Sequence, residues 1–446
     1  MNLQNQIKEK GVVGAGGAGF PTHVKVGSTA RIVLVNAAEC EPLLHKDKQL
    51  LHHRTDAFFA GLEAVMEAVR AEKGIIGIKN KHQDLIRMLE THLPPKVEIC
   101  PVDDFYPAGD EITLIRETTG AIVPPGALPI SQGIVVNNVE SLVNIGKPGP
   151  VVTKFINLAG EVENRHTLEV PIGISFAELL AYARPTIRDY AVIEGGPMMG
   201  NLVTDMDSVV TKTTAALIVF PKDHILIRKY TDMASEERVN RIGKAACDQC
   251  TFCTELCPRY LLGHPIQPHK AMRSLVFHRA DGRPAEPEAH ALYCCQCNLC
   301  SFVSCPEALY PSQVCINNRR RAIAEKVEYK GPMPGHGHPL ARYRKTSSKR
   351  LKTMLDLNRF PDTGELTDHC FTPDTLAVPL QQHIGAPANP VVAQGDTVEK
   401  GQKVATMGEA LGSEIHAPAH GTVINVSDAC VRIRTAPGGS PKKTNT

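Results

Sequence analysis

Two cysteine runs constrain this chain more than any other feature. The first is Cys247-x2-Cys250-x2-Cys253-x3-Cys257-Pro258. The second, beginning 47 residues later, is Cys294-x2-Cys297-x2-Cys300-x4-Cys305-Pro306. Nine of the 14 cysteines fall between Cys247 and Cys305. Three thiols spaced by two residues wrap one centre, and a fourth just before proline leaves the loop and reaches a second centre. The pattern predicts a two-cluster ferredoxin-like region. By that logic Cys247, Cys250, Cys253 and Cys305 hold one 4Fe–4S cluster, and Cys294, Cys297, Cys300 and Cys257 hold the other. The second run departs from the usual spacing by one residue, because Ser304 stands where the fourth cysteine is expected. Cys295 leaves open which of two neighbours is the first ligand of that run. Zinc is the alternative, but its sites use four ligands, usually as two separated pairs, which fits these runs poorly. The scattered Cys40, Cys100, Cys315, Cys370 and Cys430 read as small buried hydrophobes.

Composition narrows the setting. A chain of 446 residues has room for roughly two to four domains. With 42% hydrophobic and 22% charged residues it is not disordered in bulk. Lys+Arg 49 against Asp+Glu 47 leaves a formal charge of +2, far from the basic excess of a nucleic-acid-binding protein. The best apolar run, Ala215–Phe220, is six residues, so no transmembrane span is expected. MNLQNQIKEKG has no apolar core of a secretory signal, and no amphipathic targeting helix is read in the first ten residues. The expectation is a cytoplasmic, reducing setting, where clustered cysteines hold metal rather than disulfides.

Residues 1–148 read as α/β. Arg31–Val35, Ile75–Lys79 and Val97–Val102 are short apolar strands. Between them lie a helix capped by Thr55 and stopped by Gly74, with Phe58, Leu62, Val65, Met66 and Val69 on one face, and a second over His82–Leu93 with Leu85, Ile86 and Leu89 inward. Strand–helix alternation predicts a parallel sheet covered on both faces. Past Gly146–Pro150, residues 149–206 read as a compact β+α module with one helix-like stretch at Ser175–Tyr182. Residues 207–240, including HILIR, read as a connecting β segment, and 241–330 form the cysteine region. Residues 331–374 read as a Pro/Gly-rich and then basic linker. Residues 375–435 read as a small β domain with turns at Gln394–Asp396 and Gly401–Gln402. Residues 436–446 read as a disordered tail.

Gly14-Ala-Gly16-Gly17-Ala-Gly19 contains a GxGxxG, but no strand precedes it, so the Rossmann reading fails on context. Its glycines still allow backbone N–H groups to approach a phosphate, and Lys25 supplies a charge. A flexible glycine turn is the alternative.

GAGGAGFPTHVK (Gly14–Lys25) resembles the flavin-loop motif of the NADH-binding flavoprotein subunit of complex I. NAAECEP followed by KD (Asn36–Pro42, Lys46–Asp47), YPAGDE (Tyr106–Glu111) and VNNVES (Val136–Ser141) resemble its next three motifs, in the same order. The same core occurs in RnfC electron-transport subunits and in PduS-type cobalamin reductases of bacterial microcompartments. In those families a soluble-ligand-binding β-grasp domain (149–206 here) and a two-cluster ferredoxin region follow it. The C-terminal Gly395–Val423 looks like the lipoyl-like barrel-sandwich module that RnfC carries at its N-terminus. Its placement at the end resembles the PduS type. Its turn reads Glu409-Ala-Leu-Gly412-Ser, with glycine in place of the carrier lysine. The resemblance therefore implies a multidomain α/β and α+β protein: a flavoprotein-like α/β domain, a β-grasp domain, a two-cluster ferredoxin-like domain and a barrel sandwich without attached biotin or lipoate.

Carried over motif by motif, the resemblance implies that Gly14, Gly16, Gly17, Gly19, Lys25, Asn36, Glu39, Asn137, Asn138 and Ser141 contact FMN. Phe20 and Glu41 then lie near the nicotinamide nucleotide, and Tyr106, Asp110 and Glu111 line the flavin pocket. Three positions depart from the complex I pattern: Ala38 replaces an aspartate, Val26 an aromatic and Asp110 the longer glutamate. Taken singly, Asn137-Asn138 also reads as a turn and Phe20 as core. The implied activity passes electrons from NADH through FMN and two 4Fe–4S clusters to cobalamin, for use by an adenosyltransferase alongside microcompartment shell and enzyme partners. The alternatives are an RnfC-like subunit feeding a membrane complex, and a non-catalytic conduit to a protein or quinone partner. Arg319–Arg321 reads as a solvated helix face rather than a docking patch.

Overall fold

The structure, a computed structural model, describes residues 2–277, 289–332 and 335–436. The tail expected to be disordered therefore lies, beyond Ala436, outside the described residues.

Four parallel strands form the first sheet, in the spatial order Val97–Val102, Lys73–Lys79, Ile32–Ala37, Ile134–Asn138. They are apolar and β-branched because both sheet faces are covered. Helices Thr55–Ala68 and Val139–Gly146 pack on one face, and Glu111–Thr119 on the other. The chain steps outward over three strands and then returns to the far side of the first. The crevice beyond the C-terminal ends of Ile32–Ala37 and Ile134–Asn138 is thus a topological switch point, the place where such sheets take ligands. The apolar face of Thr55–Ala68 is buried as its spacing implies. Its ends differ from expectation. Thr55 lies inside the helix and its hydroxyl donates to Leu51 O. Gly74 already belongs to the next strand, while Arg70, at φ 56, makes the turn.

The second sheet has the order Glu365–Thr367, His166–Pro171, Thr153–Gly160, Ala216–Pro221, Tyr190–Glu194, Asn201–Leu202. A hairpin enters it, helix Phe176–Ala183 crosses it, and the first and last long strands pair in parallel at its centre. Ser175 and Glu178 form a reciprocal capping box that starts the helix. Residues 207–240 are therefore not a connector: Ala216–Pro221 is the central strand, and its five residues from Ala216 to Phe220 are buried on both faces. HILIR does not extend it. His224 caps a helix over Ile225–Met233, with Leu226 and Ile227 inward, because a five-residue apolar run carries no decisive period.

The cysteine region is held by short helices, chiefly Glu236–Ala246, Pro268–Ser274 and Pro311–Ala324. The segment read as a linker is woven into the other units. Thr346–Ser347 pairs with Phe105–Tyr106, helix Ser348–Met354 buries Leu351, and Glu365–Thr367 edges the second sheet. Three of its basic residues form ion pairs: Arg344 with Glu255, Lys345 with Glu117 and Asp103, and Lys352 with Asp362. The C-terminal unit is a sandwich of two small antiparallel sheets around Val378, Val398, Val404, Val423 and Ile433. The first residues also form a helix, Leu3–Lys10, whose Ile7 is buried and whose Glu9 pairs with Lys403 of that sandwich.

Helices Thr55–Ala68 and Val139–Gly146 touch backbone to backbone. A Cβ on Gly61 would stand 2.0 Å from Leu142 O, and one on Gly146 2.0 Å from Ala57 O. Gly61→Ala is therefore expected to lower stability by about 2 kcal/mol or more. A denaturation midpoint equal to that of the parent chain would show that the helices part without cost.

Candidate functional site

The strand ends bring the polar residues together. Asn36 and Asn138 are register partners on adjacent parallel strands. Asn36 donates to Gly109 O at 2.8 Å, which ties the second motif to the third. Asn138 caps helix Val139–Gly146 through its Oδ1 and donates to Asp47 Oδ2 at 2.7 Å. Asn137 is buried and its Nδ2 has no partner. An unsatisfied buried donor is costly, so its place beside the crevice fits a ligand acceptor.

The glycine-rich segment closes on itself. Gly14 N–H donates to Phe20 O and Gly19 N–H to Gly14 O. Ser141 Oγ accepts from Ala15 N–H at 2.9 Å and donates to Val13 O. Gly16 lies over Asn138, with 3.5 Å from its ideal Cβ position to the Asn138 Cβ, and a Cβ on Gly17 would meet nothing within 4 Å. The tip of the loop thus faces open space, the cradle that a phosphate needs. Lys25 donates to Val136 O and pairs with Glu111 at 3.3 Å, 5.9 Å from the Phe20 ring centre.

Beneath the loop lies a buried charge cluster. Glu140 Oε2 accepts from Lys46 Nζ at 2.6 Å and from Lys154 Nζ at 2.5 Å, and its Oε1 from Phe155 N–H. Both ammonium groups also reach Ala15 O, at 3.4 and 3.2 Å. Burial works against the Glu140 carboxylate, but the two cations hold its pKa low. Burial pushes Lys154 down to about 8 against the pull of Glu140. Lys154 belongs to the second sheet, so this cluster locks the two sheets and the loop in one arrangement.

Glu39 and Glu41 are buried carboxyls raised to about 7, each chiefly by burial. Glu39 accepts from Asp47 N–H at 2.9 Å at the start of helix Lys46–His53. Glu41 Oε2 accepts from Met198 N–H at 2.8 Å, and its Oε1 has no partner. The loop Gly195–Gly200 (GGPMMG) covers Glu41 so closely that a Cβ on Gly196 would stand 2.3 Å from its carboxyl carbon. Sequence reasoning passed over this loop. Its signal is a Gly-Gly-Pro directly after a strand, with Gly195 at φ +88.

The third motif faces the cysteines. Tyr106 is buried and donates to Cys297 O at 2.9 Å. Both oxygens of Asp110 are committed: Oδ2 accepts from Thr113 N–H and hydroxyl as a helix cap, and Oδ1 from Arg259 at 2.7 Å. An aspartate at this position can cap its own helix, which the longer glutamate does poorly. Asn298 adds a third tie, donating to Met198 O at 2.7 Å.

Cys247, Cys250, Cys253 and Cys305 line one partly open space of about 310 Å³. Cys257, Cys297 and Cys300 are buried together, with Cys294 and Cys295 beside them. Among the described residues no three His, Cys, Asp or Glu groups converge on a single ion. Burial, and then neighbouring thiols, push Cys253 up to about 12. Such a set is stable as thiolates only around bound metal.

The two turns share one backbone. Gln249 and Thr251 in the first, Gln296 and Asn298 in the second, all take positive φ. This register puts Cys294 in the place of Cys247, and Cys295 in the place of Asp248. Cys257 and Cys305 are both extended before proline. The extra residue of the second run is taken up as one π turn over Cys300–Ser304. Of the five scattered cysteines read as buried, only Cys315 is, and it lies in hydrogen-bonding reach of Cys294; Cys40, Cys100 and Cys430 are half-buried and Cys370 is exposed, so burial does not account for those four.

Comparison with known proteins follows this layout. The Nuo51 FMN-binding domain model matches residues 7–147, the 4Fe-4S dicluster domain 246–310, and the RnfC barrel sandwich hybrid domain 363–436. Cobalamin reductase PduS of Citrobacter freundii is 40% identical over 439 residues, covering 97% of this chain and 96% of its own. The Salmonella typhimurium protein of the same name is 39% identical with the same coverage. This chain belongs to the PduS family. A component of the Na(+)-translocating ferredoxin:NAD(+) oxidoreductase complex of Acetobacterium woodii is 31% identical, over 58% of this chain and 58% of its own length.

Family membership and fold together establish an oxidoreductase with an FMN-binding domain, a 4Fe–4S dicluster region and a barrel sandwich. In the PduS-family barrel sandwich the hairpin end at Gly412 is buried, and a Cβ there would stand 2.3 Å from Met407 Cε and 2.7 Å from His383 Cε1. A lysine in place of Gly412 would not fit there. No helix among the described residues is long and apolar enough to cross a membrane.

Two measurements follow from the buried charges. Lys154→Met leaves Glu140 with Lys46 as its one cation and Ala15 O with Lys46 as its one donor, so stability is expected to fall by about 3 kcal/mol; denaturation reads it, and an unchanged midpoint would show the cluster relaxes at no cost. Glu41 holds its proton more tightly folded than unfolded. Its contribution is full below the ordinary value of 4.5 and is lost as pH rises to about 7. Glu41→Gln should therefore be more stable than the parent above pH 7, by up to about 3 kcal/mol, with the gap closing toward pH 4. A gap independent of pH would refute the assignment.

Proposed function

We propose that this chain takes electrons from NADH and delivers them to a corrinoid, reducing cobalamin for an adenosyltransferase. One NADH supplies two electrons, enough to convert two cob(II)alamin to cob(I)alamin with release of NAD+ and a proton. The observation that carries the proposal is the bonding of the flavin-domain motif Tyr106–Asp110 to the cysteine region, through Cys297 O in the second turn and Arg259 two residues after Cys257. The nature of the acceptor rests on the full-length likeness to proteins named cobalamin reductase.

In this reading Gly14, Gly16, Gly17, Gly19, Lys25, Asn36, Glu39, Asn137, Asn138 and Ser141 form the FMN crevice, and Phe20, Glu41 and Glu111 its rim. FMN, when bound, exchanges electron pairs with a dinucleotide and single electrons with a cluster, which is why it stands between them. Cys257, Cys294, Cys297 and Cys300 hold the near cluster, since Tyr106 bonds the turn of Cys297 and Asp110 bonds Arg259, two residues after Cys257. Cys247, Cys250, Cys253 and Cys305 hold the far one. Three of these, Cys247, Cys250 and Cys305, are partly exposed, which suits delivery to an outside acceptor. The second sheet, with its hairpin, crossing helix and parallel central pair, supports a soluble-ligand-binding β-grasp domain. Residence in a bacterial microcompartment, with shell and enzyme partners, is inferred from the PduS family.

The test uses purified protein. NADH oxidation coupled to cob(III)alamin or cob(II)alamin reduction, with flavin released on denaturation, is the expected result. Cys253→Ala should lose about half of the iron and sulfide and stop cobalamin reduction, while NADH still bleaches the flavin. Normal cobalamin reduction by that variant would sink the relay.

A further inference from the structure

The C-terminal sandwich lies against the very loop that forms the crevice. Ile384 N–H donates to Gly19 O at 3.0 Å. Gly19, at φ +66, is packed so tightly that a Cβ would stand 2.9 Å from Thr213 Cγ2 and 3.3 Å from His383 Cα. The neck of the loop depends on Gly19, because its N–H closes onto Gly14 O. The loop is thus gripped at both ends: Ala15 O by Lys46 and Lys154 from below, and Gly19 O by the sandwich from above.

One buried cation seats the sandwich. Lys212, from the second module, is 2% exposed. Its ammonium donates to Gly11 O at 2.7 Å, to Glu414 O at 2.7 Å and to Ser413 Oγ at 3.2 Å. Three donors meet three acceptors, so the charged form is fully satisfied although burial pushes it down to about 7. Lys212 N–H also donates to the buried Gln382 Oε1 at 3.0 Å, two residues before Ile384. Gly11 leads into the glycine-rich segment, and Ser413–Glu414 belong to the sandwich. A single side chain therefore joins three parts of the chain next to the loop. No carrier group explains this domain, since its turn has no lysine.

We propose that the C-terminal barrel sandwich clamps the glycine-rich loop in its binding shape, with Lys212 as the positioning residue that seats the domain; this rests on that loop forming the FMN crevice. Seating and flavin binding are then linked, and linkage is reciprocal: whatever seating adds to FMN affinity, FMN adds to seating.

The experiment uses the full chain, freed of flavin and retitrated with FMN, alongside limited proteolysis at the exposed Asp368–Cys370 segment that leads into the sandwich. In the parent chain FMN should slow cleavage there. Lys212→Met should bind FMN about tenfold more weakly or worse, keep its iron and sulfide, and lose the protection by FMN. Gly19→Ala, which leaves Lys212 intact but crowds the contact, should show the same loss. Parent-like FMN affinity in both variants, with the sandwich released by protease, would overturn the clamp. A parent chain that takes up no FMN at all would overturn the flavin reading, and the clamp with it.

Discussion

Two ammonium groups on one buried carboxylate make the contact on which the rest of the molecule depends. Glu140 comes from the helix after the last strand of the first sheet, Lys46 from the helix after the first strand, and Lys154 from the first strand of the second sheet. Each charge alone in that interior would be prohibitively costly. Together they are compensated only when both sheets and both helices are in one relative position. Both cations then reach Ala15 O, so the same geometry that satisfies the charges also shapes the loop above them. Such a group adds little net stability over an apolar core, but it permits few alternative arrangements.

From that fixed loop the crevice extends in two directions. One side leads through Asn36 and Gly109 to Tyr106 and Asp110, and from there by one hydrogen bond to Cys297 in the second cysteine turn and by another to Arg259, two residues after Cys257. The other leads through Glu41 and the GGPMMG loop to Asn298 of the same turn. Two independent paths converge on one turn, which gives the near set of thiols a position set by the flavin domain rather than by its own loop. The far set has a more open space and partly exposed thiols. The two sets are built alike, down to paired positive-φ residues, and the one-residue excess of the second run is absorbed in a π turn without disturbing Cys305.

Much of this was legible from residues. The parallel strands of the first sheet, the inward faces of its helices, the helical stretch at Ser175–Tyr182 and the grouping of Cys247, Cys250, Cys253 and Cys305 follow from period and spacing. The misses have physical causes. HILIR is too short to show a period, and a capping histidine decided for helix. The basic stretch 342–352 reads as linker, but Lys345 finds carboxylates more than 200 positions away in sequence. Cys315 looks like an isolated thiol because nothing in its neighbourhood along the chain announces Cys294. The GGPMMG loop carries no ionisable group, so chemistry-led reading passes it by; it matters through closeness of backbone.

By itself the sequence determined the inventory: two cysteine turns able to surround clusters, four flavin-type motifs in order, and a sandwich whose turn lacks a lysine. These are local properties, set by spacing along a few residues. Only the tertiary structure decided which cysteine turn touches the flavin-type domain, that Asp110 spends its carboxylate on a cap and on Arg259, and that the two cysteine turns share one backbone. It alone placed the C-terminal domain on the glycine-rich loop. Contacts between residues hundreds of positions apart depend on how buried charges and close-packed glycines let the domains meet, and no local pattern encodes that.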